Sequence, residues 1–578
     1  MNKRVLYTML IGVGLLLLYT QFKQKPALAT EAPPAVKITP AVAPTDGKPA
    51  DAKPTDAKAT DAKADPKAPV VAPKPPNPEE PKPAEIVDPI AQPQLYDAKL
   101  TTYGGVLTAW TLLDPQFQEP TPDDKRKSQP INLVRRPLPA DVMFPACATC
   151  TPMFEAPAGA AWSRTQVGDE LVYTWENDRA RVEKRYQAVP GTYQLRLRYT
   201  LENKTDEPAN YWQKAVVRGY HDPHIGAPGM FSPPVMMTSG VCDVNGKLKN
   251  GDFASLLKAT DEKAKGIAGV EERGGVRWVG IDEKYFVIAV ALGVAPEGEE
   301  RVCNLSATAD GIITVGALGT ARVVPPHAKG EGEVAIYLGP KQLHQLDRVE
   351  VAGKGAKLAS AIDFGFTEII ARPMLAVLKA IHYVVPNWGV AIIILTILIK
   401  LVTFYPSQKS MKSMREMAKL KPELDKLKAK HGDDRNGFAQ AQMKLFKERN
   451  VSPFGGCLPM ALQFPIYIAL YSMLRNSVEL YRSPFIPGWI GDLTASDPYF
   501  ITPLVTGAFM FLQQRLTPTP PDPQQKMLMY LMPVMFTAFT VFLPSGLTIY
   551  ILTNTLLTMA QQYLVNRGDT NSKTLAKA

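Results

Sequence analysis

Long apolar segments follow one another through the last third of the chain. The first, residues 384–404, has roughly the 20 mostly apolar positions that a helix needs to cross a bilayer. Four more cover residues 457–474, 500–516, 527–542 and 547–563. We predict that each of these segments forms a transmembrane helix.

Another apolar segment lies at the start of the chain. Residues 5–19 are rich in Leu and Ile and follow two basic residues. Lys23 and Lys25 lie between this segment and a sequence at 27–29 that resembles a cleavage site, where cleaved signal peptides rarely carry charge. We therefore favour an uncleaved signal-anchor helix at residues 1–24 over a cleaved signal peptide. The expected architecture is an α-helical membrane bundle of about six transmembrane helices, with both termini in the cytoplasm.

Residues 25–93 consist mostly of Ala, Pro, Lys and Asp. This composition offers too little apolar surface to bury, so we expect a disordered linker that holds the next domain away from the membrane. A specific binding motif within the linker is the alternative.

The pattern changes again in residues 94–360. Apolar and polar side chains alternate at 193–201, which indicates a half-buried strand. Residues 171–175 and 181–186 flank a polar pair at 177–178 that suits a hairpin turn. Turn residues recur at short spacing without long helical patterns, so we predict a large antiparallel β-sandwich. Behind a signal anchor, this domain is extracytoplasmic.

Four of the five cysteines, Cys147, Cys150, Cys242 and Cys303, belong to the β domain. Disulfides persist outside the cytoplasm, so a structural disulfide is the favoured interpretation. A redox or metal-binding pair at Cys147 and Cys150 is the alternative, but no βαβ pattern and no His-rich cluster accompanies it. The pairing of the cysteines stays open.

Two segments flank the first long span. Residues 361–380 mix apolar and charged side chains over a short length, which favours an amphipathic helix at the membrane interface. We expect Pro373 to allow a bend into the following span.

Residues 405–450 carry an excess of Lys and Arg, which places them in the cytoplasm by the positive-inside rule. The mildly basic tail, residues 568–578, agrees with this topology.

We predict that the basic segment 405–450 forms a helical hairpin. Its apolar residues recur at helical spacing and form either the seam between the two helices or an exposed docking face. This stripe consists of Met411, Met414, Met417, Leu420, Leu424 and Leu427. Pro422 is expected to kink or restart the helix. Its cytoplasmic docking residues are expected to be Lys409, Lys412, Arg415, Lys419, Lys426 and Lys428.

Polar residues inside the apolar segments suggest a functional site. Thr396, Lys400 and Thr403 follow an i, i+4, i+7 spacing and share one helix face. An ammonium at bilayer depth costs at least about 2.5 kcal/mol unless water or a partner solvates it. Snorkelling of Lys400 to the interface is the alternative.

The last span carries a second polar face, formed by Tyr550, Asn554, Thr558 and Gln561. Polar groups at this depth face a bundle interior or a wet cavity, so this face either bonds another helix or lines a groove. We predict a hydrophilic groove. Its candidate residues are Thr396, Lys400, Thr403, Gln463, Tyr467, Tyr550 and Asn554.

The net charge of +10 is better explained by membrane topology than by nucleic-acid binding, because the chain has long apolar segments. We therefore expect no recognition of nucleic-acid sequence. No nucleotide-binding motif is present in the sequence, so ATP hydrolysis is not expected.

Three sequence motifs resemble those of the YidC family of bacterial membrane protein insertases. They are Asn-Trp-Gly at 387–389, Ser-Pro-Phe-Gly-Gly-Cys-Leu-Pro at 452–459 followed by Gln-Phe-Pro at 463–465, and Leu-Pro-Ser-Gly-Leu at 543–547 followed by Tyr550, Asn554 and Gln561. The anchor, linker and β domain resemble the Gram-negative branch of the wider YidC/Oxa/Alb family. The groove cation of the family is often Arg, whereas this chain has Lys400.

The resemblance implies an insertase core at residues 381–567 in the bacterial inner membrane, with the β domain in the periplasm. The implied function is to insert and fold transmembrane segments, alone or beside the Sec translocon, without catalytic residues, metal or cofactor. The implied partners are nascent membrane proteins, the Sec translocon, ribosomes or targeting factors, and the lipid bilayer. Two other classes stay open at this point: a secondary transporter, and a membrane-tethered protein that binds or processes carbohydrate.

Overall fold

The computed structural model of the protein describes residues 87–120, 128–135, 140–146, 153–157, 160–223, 238–264, 270–432, 434–449, 451, 458–516 and 523–575. The expected signal anchor, most of the expected linker, Cys147 with Cys150, and the motif at 452–457 lie outside the described residues. The described part contains a β domain followed by a group of helices.

The β domain contains all the strands of the described residues. In chain order they are β1 Val87–Gln92, β2 Tyr96–Thr101, β3 Val106–Leu112, β4 Gln118–Pro120, β5 Ser128–Pro130, β6 Ala140–Met143, β7 Ser163–Val167, β8 Glu170–Glu176, β9 Ala180–Ala188, β10 Gln194–Asn203, β11 Ala209–Tyr220, β12 Thr238–Val244, β13 Lys247–Asp252, β14 Val270–Gly274, β15 Val276–Glu283, β16 Phe286–Ala291, β17 Arg301–Ala307, β18 Ile312–Val324, β19 Lys329–Pro340, β20 Glu350–Val351 and β21 Lys354–Gly355.

Two antiparallel sheets form the sandwich that the sequence predicts. The larger has nine strands in the order β13-β12-β15-β16-β19-β10-β9-β8-β7, and the smaller has five in the order β14-β17-β18-β11-β6. Strand β10 shows why the alternation was a reliable guide. Leu195, Leu197 and Leu201 are fully buried in the core, whereas Arg198 on the opposite face is exposed. The predicted turn at 177–178 joins β8 to β9, and the Asn177 carboxamide oxygen accepts the backbone N–H groups of Arg179 and Ala180 at 2.9 and 2.8 Å.

The β domain begins earlier than expected. Residues 87–92 were assigned to the linker, but they form β1, which pairs with β2 in a three-stranded antiparallel sheet. The polar side chain of Asp88 concealed this strand, because it is buried rather than solvated. Its carboxylate accepts Arg164 at 2.6 Å and the Tyr173 hydroxyl at 2.8 Å. The domain also contains two helices without a sequence prediction, α1 Phe253–Ala264 and α2 Leu343–Asp347.

A disulfide joins Cys242 on β12 to Cys303 on β17. It therefore connects the nine-stranded sheet to the five-stranded sheet through the core, where both cysteines are fully buried. The predicted structural disulfide is present, and the pairing that the sequence left open is resolved for these two cysteines.

The remaining helices follow the β domain. They are α3 Glu368–Val384, α4 Trp388–Lys419, α5 Lys421–His431, α6 Arg435–Glu448, α7 Leu458–Asn476, α8 Ile501–Leu516, α9 Pro523–Thr540 and α10 Ser545–Leu575. Short 3-10 turns lie at Leu358–Ala361, Gly365–Thr367 and Val478–Leu480.

Several helix bounds differ from the expected ones. Pro373 lies inside α3 rather than at a bend, and the chain turns instead at residues 385–387. There the Asn387 side chain accepts the N–H of Val390 at 3.1 Å and so caps α4. Helix α4 continues without a break into the basic segment that was expected to begin at residue 405. Likewise, α10 extends through most of the expected tail to Leu575.

One helix of the described residues, Trp388–Met417, is long and apolar enough to cross a membrane, with a mean hydropathy of 2.2. The apolar helix Met529–Thr540 is shorter. The number of six spans therefore stays a prediction.

The β domain is docked onto the helices through the loop after α7. The Tyr481 ring packs against Tyr285 and Phe286 of the β domain at centroid distances of 5.0 and 5.6 Å. Its hydroxyl donates to the Gln118 carbonyl at 3.1 Å. The Gln116 side-chain amide donates to the carbonyls of Glu479 and Tyr481 at 3.0 and 3.1 Å. We call this contact the Tyr481 socket.

The buried disulfide leads to a stability prediction. The two cysteines are 61 residues apart in sequence, and closing a loop of that length stabilises a fold by roughly 4 kcal/mol in the chain-entropy model. Replacing both residues, Cys242→Ala and Cys303→Ala, should lower the free energy of unfolding of the β domain by about 2–5 kcal/mol, measured by denaturant titration of the detergent-solubilised protein.

The control for this prediction is reduction of the unsubstituted protein, which should destabilise the β domain by a similar amount. The double variant should not respond to the reductant through this pair. Equal stability of the native protein with and without reductant would contradict the role assigned to the disulfide.

Candidate functional site

Lys400 lies on α4 and its ammonium reaches the last helix. The Lys400 Nζ donates to the Thr558 hydroxyl of α10 at 2.8 Å. The Thr558 hydroxyl donates in turn to the Asn554 carbonyl at 2.6 Å. An ammonium has three donors, and one of them has a protein partner here. The side chain is thus directed at α10 rather than extended along its own helix to the membrane surface.

Helix α7 contributes two further polar side chains, which contact α10. The Gln463 side-chain amide donates to the Tyr550 hydroxyl at 2.5 Å, and the Asn554 side-chain amide donates to the Tyr467 hydroxyl at 3.2 Å. The rings of Tyr467 and Tyr550 meet edge to face at a centroid distance of 5.4 Å. Five predicted site residues, Lys400 included, therefore come together from three helices. We call the space that they border the polar groove.

The two predicted threonines take a different role. Thr396 is buried and its hydroxyl donates to the Ile392 carbonyl of its own helix at 2.7 Å. Thr403 is also buried and donates to the Ile399 carbonyl at 2.9 Å. These hydroxyls are satisfied within α4, so their shared face with Lys400 does not by itself make them groove residues.

Two residues of the polar face on α10 were left out of the predicted site. Thr558 holds Lys400, as described above, and the Gln561 side-chain amide donates to the Phe404 carbonyl at 3.2 Å. Gln561 is buried, and its side-chain oxygen has no partner within the described residues. Both continue the helical spacing from Tyr550 and Asn554, which is the pattern that could have identified them.

The packing of α4, α7 and α10 changes along their length. At the end near the Tyr481 socket, apolar side chains of α4, α7 and α10 are buried together. They are Ala391, Ile392, Leu395, Ala469, Leu470, Met473, Leu474, Leu547, Ile549 and Ile551. Toward the basic hairpin, Gln463, Lys400, Asn554 and Thr558 are only half-buried. The polar groove is therefore closed on the side of the β domain, and its side chains nearer the hairpin are partly accessible, although Thr403 and Gln561 keep α4 and α10 packed together beyond Lys400.

Large apolar side chains are exposed on α4 and on the neighbouring helices α8 and α9. They include Leu401, Val402, Leu504, Leu512, Leu531, Val534 and Met535. A continuous exposed apolar surface of this kind is expected where a protein contacts lipid. The polar groove thus lies among helices whose other faces suit a bilayer.

The basic hairpin consists of α5 and α6 together with the end of α4. Leu420 and Leu424 pack against Leu445 and Phe446, with Met417 and Leu427 beside them. This part of the Met/Leu stripe is the seam between the helices. Pro422 lies in the first turn of α5, which therefore restarts after α4. Of the expected docking residues, Lys409, Lys412, Lys419, Lys426 and Lys428 are exposed and Arg415 is half-buried.

Comparison with known families gives two matches that together cover most of the chain. Residues 94–377 match the family model described as "YidC periplasmic domain". Residues 380–573 match the family model described as "60Kd inner membrane protein". The boundary between the two matches lies within α3, close to the boundary between the β domain and the helices that carry the polar groove.

Individual relatives agree with the family models. The chain is 37% identical to "Membrane protein insertase YidC" of Saccharophagus degradans over 68% of this chain and 67% of that protein. It is 36% identical to the protein of the same name from Anaeromyxobacter dehalogenans strain 2CP-C, over 81% of this chain and 83% of that protein.

The unequal packing along α7 predicts a difference in water access. Gln463 and Leu470 are seven residues apart and so lie on nearly the same side of the helix, one at the open end and one at the closed end. In a background with Cys457→Ser, a Gln463→Cys variant should react with a membrane-impermeant thiol reagent added on the hairpin side. Leu470→Cys should stay unmodified. The measurement is the modified fraction after a fixed time in inverted membrane vesicles.

Leu470→Cys is the matched control, because both thiols lie on the same helix. Protection of both thiols would contradict an open groove, and modification of both would contradict the closed end.

Proposed function

The chain belongs to the YidC family of membrane protein insertases, and on this premise we propose that it inserts transmembrane segments by way of the polar groove of α4, α7 and α10. The observation that carries the proposal is the cluster of Lys400, Gln463, Tyr467, Tyr550 and Asn554 at the open end of the helices. In this role, the groove gives the polar flank of a substrate a hydrated place within the bilayer. Thr396 and Thr403 support it indirectly, through the shape of α4.

The energy for insertion comes from the apolar part of the substrate. Each CH₂ group that moves from water into lipid contributes about 0.8 kcal/mol, so a transmembrane segment supplies ample driving force. The obstacle is the polar flank, whose groups lose their hydration inside hydrocarbon. The half-buried ammonium and amides of the polar groove lower that obstacle, because they offer hydrogen-bond partners part of the way across. No hydrolysis by this chain is needed.

The family places the chain in the inner membrane, with a periplasmic β domain, and its relatives are named insertases rather than enzymes. We propose that α4, α7, α8, α9, α10 and the N-terminal anchor all cross the bilayer. Helix α3 would lie at the outer interface, a position supported by the exposed side chains of Ile369, Tyr383 and Val384. The relatives give no support to a secondary transporter or to a carbohydrate-processing protein.

We also propose that the basic hairpin docks partners in the cytoplasm. Five exposed lysines on a compact pair of helices suit acidic surfaces, such as those of ribosomes or targeting factors. The Leu420–Phe446 seam fixes the shape of this surface, which is therefore presented by a folded element. Insertion alone or beside the Sec translocon is compatible with this arrangement. Nascent membrane proteins are the substrates in either case.

The charge of Lys400 is the first testable part of this proposal. Lys400→Arg should preserve insertion, because the positive charge and donors are kept, whereas Lys400→Glu should abolish it. Lys400→Ala should slow the insertion of reporters with acidic translocated flanks about tenfold, as expected for the loss of roughly 1.4 kcal/mol of attraction. The measurement is protease protection of the reporter in proteoliposomes.

The matched control is a reporter whose flank carries Asn and Gln in place of Asp and Glu. Lys400→Ala should affect this neutral reporter much less. Normal insertion of every reporter by Lys400→Ala would show that Lys400 has no part in the groove mechanism.

The hairpin makes a separate prediction about docking. Replacing Lys412, Lys426 and Lys428 with Gln should weaken the binding of translating ribosomes or targeting factors and reduce co-translational insertion several-fold, with the largest effect at low salt. The matched control replaces the same residues with Arg and should behave like the native chain. Undiminished binding and insertion by the Gln variant would contradict a docking role for this surface.

A further inference from the structure

Two cations at the closed end of the helices have no carboxylate partner. Arg475 lies one residue before the end of α7, and Lys284 lies in the turn between β15 and β16 of the β domain. Within the described residues, neither forms an ion pair. Their neighbours do: Lys379 pairs with Glu479 at 2.5 Å, and Lys341 pairs with Asp282 at 2.7 Å.

The Arg475 side chain turns back toward the bilayer. Its guanidinium donates to the Tyr471 hydroxyl at 2.6 Å and lies 5.7 Å from the centre of the Tyr471 ring. Tyr471 is one helical turn nearer the membrane centre, because α7 runs from the hairpin side to the side of the β domain. An arginine that only snorkelled would point the other way, out to the surface.

Arg475 continues the polar face that forms one wall of the groove. Gln463, Tyr467, Tyr471 and Arg475 follow each other at intervals of four residues along α7. From Gln463 to Arg475 this is 12 residues, or about 18 Å at the rise of an α-helix. Each step of four residues turns the side chain about 40° further around the axis, so this polar stripe winds around α7, and Arg475 at the outer end of the helix lies about 120° around the axis from Gln463.

Lys284 approaches the same place from the β domain. Its ammonium lies 4.7 Å from the centre of the Tyr285 ring, and Tyr285 belongs to the Tyr481 socket. Burial, and then the positive charge of Arg475, lowers the pKa of Lys284 to about 7. Asp492 opposes this shift, but its carboxylate accepts the N–H and hydroxyl of Thr494 and does not pair with either cation within the described residues.

We propose that Arg475 and Lys284 form an outer cationic site that binds carboxylates of the substrate's polar flank as it leaves the groove. The inference rests on the proposed function and deepens it, since it adds a second positive site, at the end of α7 that lies about 18 Å from Gln463. Lys400 attracts an acidic flank into the groove, and the outer site receives it at the far end. Cations that have no ion-pair partner among the described residues are stabilised by an arriving carboxylate, which is why the site suits a passing acidic segment.

The inward direction of Arg475 favours the substrate over a lipid headgroup as the ligand. A phospholipid phosphate would be met at the membrane surface, whereas the guanidinium lies along the polar face that leads from the groove. Tyr285, next to Lys284, packs on Tyr481 in the loop that follows α7, at a centroid distance of 5.0 Å.

The test compares two reporters in proteoliposomes, one with an acidic translocated flank and one with the matched Asn/Gln flank. Arg475→Gln combined with Lys284→Gln should slow translocation of the acidic reporter at least about threefold and leave the neutral reporter unchanged. Arg475→Lys, which keeps the charge, should retain the preference of the native chain. Lys354→Gln removes an exposed lysine of β21 elsewhere on the β domain and should have no effect.

The neutral reporter distinguishes a failure of this inference from a failure of the proposed function and from misfolding of the variant. If the native chain inserts neither reporter, the proposed function fails. If the double variant slows both reporters equally, the two cations are structural and the outer site is disproved. The lipid alternative is tested by repeating the assay with zwitterionic lipid alone. An effect of the double variant that appears only with anionic lipid would assign the site to headgroups and overturn the inference.

A pH series provides an independent readout. Lys284 is charged below its pKa of about 7 and neutral above it, in a setting that also includes Arg475, Lys341 and Asp492. The preference for the acidic reporter should therefore be stronger at pH 6 than at pH 8, because Asp and Glu of the flank stay ionised throughout. Lys284→Gln should remove this difference. An unchanged pH dependence in that variant would contradict the participation of Lys284.

Discussion

A charged group inside a bilayer must have partners or water, and the arrangement of the helices around Lys400 follows from that constraint. Among the described residues the ammonium has one partner, Thr558, and Lys400 is only half-buried. Its remaining donors can therefore be satisfied only if water or a substrate reaches them. Close packing of α4, α7 and α10 around Lys400 would remove that access. The helices are packed closely at their other end, where the side chains are apolar and need no partners.

Local patterns predicted most of the fold. The spans at 457–474 and 500–516 became Leu458–Asn476 and Ile501–Leu516, because an apolar segment bounded by polar turns leaves little choice of helix ends. Strand β10 followed from alternation alone. Strand β1 was missed since the carboxylate of Asp88 is buried only by virtue of Arg164 and Tyr173, which are distant in sequence. The pairing of Cys242 with Cys303 was equally inaccessible, because it depends on how two sheets face each other.

The sequence predicted part of the candidate site and missed the contacts between helices. The spacing of Tyr550 and Asn554 predicted a polar face, but not that these residues would meet Gln463 and Tyr467 across the groove. The spacing also grouped Thr396 and Thr403 with Lys400, although their hydroxyls bond their own helix. The threonine hydroxyls bond the preceding turn of their own helix, whereas the side chains of Lys400, Gln463 and Asn554 bond across helices, so helical spacing overstates the contribution of these threonines to the site.

The Tyr481 socket has a consequence for the encounter between the β domain and a polypeptide that crosses the membrane. The ring of Tyr481 and the amide of Gln116 hold the domain in one orientation above the helices. On the proposed function, a segment that emerges beside α7 meets a β-domain surface whose position is already fixed, so a contact between them requires no further ordering of the domain.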